Sequence, residues 1–76
     1  MKYYIVDRYV LQYPDGRFVA LDYSSGGEPY AAENLFGAQI WLEIDLERAK
    51  AYMHTFEKEN FTLLRIDSVE LTPNPY

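Results

Sequence analysis

A chain of 76 residues without cysteine has room for one hydrophobic core and no covalent staple, which excludes a second domain, a disulfide scaffold and a cysteine-ligated zinc site. Its formal charge of -5 and pI of about 4.6 argue against direct contact with nucleic-acid phosphates or anionic lipid and favour basic partners. Hydrophobic residues make up 49% of the chain, but eight residues are tyrosines and the mean hydropathy is -0.33, so the apolar content is amphipathic and no membrane span is expected.

Met1 to Val6 carries one positive charge and a brief apolar stretch that breaks at Asp7, too short for a signal-peptide core, so the expected location is the cytoplasm. Two runs rich in Tyr, Val, Ile, Leu and Phe between Lys2 and Tyr23 flank Tyr13-Pro14-Asp15-Gly16-Arg17, where Pro presets φ and Gly permits positive φ. This predicts a β-hairpin with a bulge at Gly16. Tyr13 then pairs with Arg17, Gln12 with Phe18, Leu11 with Val19, Tyr9 with Leu21, and Arg8 with Asp22 as an opposite-charge pair. The alternation puts Ile5, Tyr9, Leu11, Val19 and Leu21 in the core and the Arg8 face outside.

Ser24-Ser25-Gly26-Gly27-Glu28-Pro29 is dense in turn formers and reads as a loop, followed by a short helical turn between Tyr30 and Gly37. Ala38 to Glu43 fits a third short strand. A helix is predicted from Asp45, because Leu46, Ala49, Met53 and Phe56 recur at three- and four-residue spacing with Tyr52 beside them. Asp45 is a candidate N-cap and Asn60 a left-handed stop. Phe61 to Leu71 reads as a fourth strand with a change of phase at Asp67-Ser68, and residues 72–76, with two prolines, as a loose tail.

The expected architecture is therefore a single α+β domain over 1–76 in two layers, ordered ββ-β-α-β, with one helix on one face of the sheet. One helix cannot shield both faces, so Tyr4, Val6, Val10 and Phe18 are expected to form an exposed apolar stripe. Such a stripe would suit self-association as a homodimer.

The charge is concentrated in mid-chain. From Asp15 to Glu47 there are seven acids (Asp15, Asp22, Glu28, Glu33, Glu43, Asp45, Glu47) against one base, Arg17, a segment charge of -6. Interspersed with Tyr23, Tyr30 and Trp41, these acids form a candidate protein-binding surface for a basic groove. The alternative is a solvated face that keeps a small protein soluble.

Little in the sequence points to chemistry. His54 has neighbouring lysines at four-residue spacing and no catalytic partner, and reads as a polar helix residue. Glu43, Asp45 and Glu47 cluster carboxylates without the spacing or the Gly of a calcium loop, which fits helix-start electrostatics. Ser25-Gly26-Gly27-Glu28 lacks the lysine of a phosphate loop, and its Glu would repel an anion. No catalytic, cofactor-binding or metal-ligating residue is expected.

A small, acidic, cysteine-free, Tyr-rich chain that opens on Met-Lys-Tyr-Tyr-Ile-Val and combines a hairpin, a helix and a closing strand resembles small phage-encoded accessory proteins, including anti-CRISPR inhibitors. The likeness is one of architecture and composition over the whole chain. It implies a stoichiometric inhibitor in the host cytoplasm that occupies the basic nucleic-acid groove of a CRISPR effector by mimicking phosphate charge. The competing expectations are an assembly domain that pairs through the uncovered sheet face, and a small enzyme or metal protein using Glu43, Asp45, Glu47 or His54.

Overall fold

In a computed structural model that describes residues 7–66, β1 (Arg8–Gln12) and β2 (Phe18–Asp22) are joined by the predicted turn. The Tyr13 N–H donates to the Arg17 carbonyl at 2.8 Å and the Gly16 N–H to the Tyr13 carbonyl at 3.0 Å. Gly16 has φ 98, a conformation that a Cβ would strain, and Gln12 pairs with Phe18 as the alternation requires.

Beyond that pair the hairpin departs from expectation. The Gln39 N–H donates to the Val19 carbonyl at 3.0 Å, and β4 (Trp41–Leu42) pairs with Tyr9 and Arg8. The segment 39–42 thus enters between β1 and β2 as they splay, so the expected Tyr9–Leu21 and Arg8–Asp22 pairs do not form. β5 (Thr62–Ile66) runs antiparallel along the other edge of β1, from Arg8↔Ile66 to Gln12↔Thr62. The fourth expected strand is therefore real over these residues; its predicted phase change and the tail lie outside the described residues, as do Tyr4, Ile5 and Val6.

A further strand occupies what the sequence reads as loop and helical turn. β3 (Glu28–Ala32) pairs with β2 throughout, from Phe18↔Ala32 to Asp22↔Glu28, and ends the sheet formed by the described residues. Pro29 has no N–H to donate to a ladder, and an edge position is where a strand accommodates it. The helical turn survives only as a 3₁₀ turn at Leu35–Gly37, held by the Asn34 Oδ1, which accepts from the Phe36 N–H at 3.0 Å. The third expected strand contracts to two residues because Glu43–Asp45 turns into a 3₁₀ lead for the helix.

α1 (Leu46–Thr55) lays its predicted face on the sheet, with Ala49 fully buried and Tyr52, Met53 and Phe56 packed on the core. Asp45 makes no side-chain capping bond and pairs instead with Arg48 at 3.5 Å. Asn60 does adopt the left-handed stop, at φ 58. The core consists of Leu11, Val19, Trp41, Ala49 and Phe61, bordered by Tyr9 and Leu21. Burying each large side chain of this set stabilises by about 2 kcal/mol. The Trp41 Nε1–H is buried without a hydrogen-bond partner among the described residues, and its ring packs on Tyr52.

Of the exposed apolar stripe that the sequence suggests, Tyr4 and Val6 lie outside the described residues, and the other two residues are not exposed. Val10 is 1% exposed, and Phe18 is half-buried. Val10 stands opposite Leu64 on β5, and Ala20, also buried, stands opposite Tyr30 on β3.

Candidate functional site

The register of β2 against β3 decides where the mid-chain acids go. At the turn end of β2, Asp15 and Glu33 share one cation: Arg17 lies 2.8 Å from Asp15 and 3.9 Å from Glu33. The Arg17 side-chain hydrogen bond holds the Asp15 carboxyl below its ordinary range, and this group is already neutralised in part.

At the far end of the same strand, about 13 Å away at the usual rise per residue, Asp22 and Glu28 stand directly opposite each other. Like charges in that position repel. Among the described residues neither carboxylate has a salt-bridge partner. Asp22 is fixed by hydrogen bonds alone: its carboxylate accepts from the Ser24 hydroxyl at 2.6 Å, the Ser24 N–H at 3.0 Å and the Ser25 hydroxyl at 3.0 Å. These bonds, led by the Ser24 hydroxyl, lower its pKa and keep it charged. Tyr30, 52% exposed, follows on the same face of β3.

Next to this acid pair a groove of about 580 Å³ opens between the Tyr23–Gly27 turn and α1. Trp41 and Tyr52 line its interior side, and Tyr23, Gln39, Asp45 and Arg48 contribute to its walls. Two hydrogen bonds fix the aromatic groups. The Tyr23 hydroxyl donates to Gln39 Oε1 at 2.6 Å, and the Tyr52 hydroxyl donates to the Gly27 carbonyl at 2.7 Å. Gly27, at φ 88, bends the chain so that its own N–H reaches the Asp22 carbonyl at 2.8 Å. Burial pushes the Tyr52 hydroxyl pKa up to about 12, with smaller contributions from Tyr13, Tyr23 and the negative charge of Glu28.

The ten residues singled out in the sequence therefore do not make one patch. Asp22, Tyr23, Glu28 and Asp45 gather around the groove, and Tyr30 adjoins the acid pair. Asp15 and Glu33 lie at the other end with Arg17. Glu43 and Glu47 are exposed at the start of α1, with Glu47 3.7 Å from Lys50. Trp41 is 9% exposed and belongs to the core rather than to an outer surface. Val10 is likewise unavailable for the self-association surface. His54 is exposed on α1, and among the described residues no three His, Asp or Glu side chains converge to hold a metal. Gly27, Gln39, Arg48 and Tyr52 are not among the binding residues expected from the sequence; Gly27 reads as loop, Tyr52 as core from its helical spacing, and nothing local places Gln39 opposite Tyr23.

No protein-family model matches the chain, and neither the curated proteins nor the solved structures contain a significant match to it. Among the described residues, no helix is long and apolar enough to cross a membrane.

Proposed function

We propose that this protein is a non-catalytic binding module that engages the basic surface of a nucleic-acid-binding protein through the acidic end of β2 and β3. The observation that carries this reading is the Asp22–Glu28 pair: two acidic residues stand opposite each other on β2 and β3, and among the described residues neither has a salt-bridge partner. A partner Lys or Arg would relieve that repulsion, and Tyr23 and Tyr30 beside the pair supply exposed aromatic surface of the kind found at interface hot spots. In its narrower form, taken from the resemblance to anti-CRISPR inhibitors, the partner is a CRISPR effector whose nucleic-acid groove is occupied in the host cytoplasm.

The test is a salt series of binding measurements against purified nucleic-acid-binding complexes, CRISPR effectors among them. Association should weaken as salt rises, and the Asp22→Asn, Glu28→Gln double variant should lower the on-rate about tenfold while leaving the off-rate nearly unchanged. An affinity indifferent to both would remove the acidic edge from the interface.

A further inference from the structure

We propose that the groove between the Tyr23–Gly27 turn and α1 is a receptor for one alkylated ammonium or guanidinium group, the head of a Lys or Arg side chain on the partner. The identity of the partner rests on the preceding reading; the chemistry rests on the groove.

Three of its lining residues are aromatic, the 71% exposed Tyr23, the half-buried Tyr52 and the largely buried Trp41, so Tyr23 offers the most accessible ring, and aromatic rings attract a cation through their quadrupole. The Trp41 and Tyr52 rings form a corner, with centroids 5.9 Å apart and planes inclined at 46°. Their neighbours hold this corner before any ligand arrives: the Tyr52 hydroxyl is tied to Gly27 and the Tyr23 hydroxyl to Gln39, so little ordering remains to be done on binding. Asp45 adds a carboxylate to the same wall. Arg48 also lines the groove. Its guanidinium lies 3.5 Å from Asp45 while its side chain is 81% exposed, so it is a weakly held cation that an incoming one can displace.

The groove is testable without the partner. Trp41 is the one tryptophan of the chain, and its fluorescence reports directly on the site. Tetramethylammonium, N-acetylargininamide and the neutral tert-butanol serve as probes. The two cations should give saturable changes in the millimolar range, at least about tenfold tighter than the alcohol. Asp45→Asn should weaken cation binding about fivefold, and Arg48→Ala should strengthen it about threefold by releasing Asp45. Tyr23→Leu, a change at a largely exposed side chain, should also weaken it while the fold is retained.

Equal binding of alcohol and cations would make the groove an apolar slot and overturn the proposal, as would the absence of saturation below about 100 mM. Binding of tetramethylammonium without N-acetylargininamide would overturn the assignment to a protein side chain. The Asp22→Asn, Glu28→Gln variant should keep its affinity for tetramethylammonium within about twofold. Loss of salt-sensitive association with intact cation binding would therefore sink the partner and spare the groove.

Discussion

β1 is paired along both edges, with β5 from Arg8 to Gln12 on one side and with β4 and β2 on the other, whereas among the described residues β3 is paired with β2 alone and ends the sheet. Both strands are five residues long. β1 contributes Val10 and Leu11 to the buried interior; β3 contributes none of its side chains, contains a proline and carries Glu28 and Tyr30 outward. In the proposed reading, stability and recognition thus fall to different strands of one sheet. The acid pair can repel itself at the edge of β3 because the fold is held elsewhere.

The strongest way to break this division is to damage β1. Leu11 is fully buried among Val19, Trp41, Ala49 and Phe61, so Leu11→Ala removes packing on both the sheet and the helix side. The expected loss is about 3 kcal/mol in urea denaturation, a large share of what a domain of this size has to spare. A loss below about 1 kcal/mol would mean that the site collapses around the smaller side chain and that β1 is less central than its pairing indicates.

Tyr52 links the two regions, since its ring packs on Trp41 and Phe61 while its hydroxyl reaches the turn before β3. Tyr52→Phe should cost about 1 kcal/mol through the lost hydrogen bond to Gly27. The pH dependence has a definite sign. The folded-state pKa is raised, from 10.0 to about 12, mainly by burial, so the unfolded chain loses this proton first. The contribution is fully present below pH 10.0 and is lost as pH rises toward about 12. Stability curves measured across that interval should fall less steeply for Tyr52→Phe than for the parent; superimposable slopes would show that Tyr52 ionises as freely in the fold as outside it.

What could be read from the sequence was what is local. Pro14, Asp15 and Gly16 specify their turn within a few residues, and the helix declares itself through the spacing of Leu46, Ala49, Met53 and Phe56. β3 was hidden because Gly26, Gly27 and Pro29 signal turns when counted as residue types, and only the knowledge that this strand is an edge makes Pro29 acceptable. The insertion of β4 between β1 and β2 joins residues about thirty positions apart, and no periodicity reports such a partner. The site divides in the same way. Its acids were visible as a count, but their separation into an Arg17-bound group and a pair without a salt-bridge partner among the described residues follows from the β2–β3 register, and the groove depends on Gln39 and Tyr52 meeting the Tyr23–Gly27 turn.

The smallest effect is expected just beyond β3, at Phe36, whose side chain is 100% exposed on the 3₁₀ turn. The bonds that hold this turn do not involve the ring. Asn34 Oδ1 accepts from the Phe36 backbone N–H, and the Gly37 and Ala38 N–H groups close onto Asn34 and Leu35. Phe36→Ser keeps all of them and removes an aromatic group that shields nothing. Its unfolding free energy should stay within about 0.5 kcal/mol of the parent, against about 3 kcal/mol for Leu11→Ala. A loss above about 1 kcal/mol would require the ring to be packed in solution. The edge beyond β3 would then carry stability as well as β1, and the division between the two strands would fail at that point.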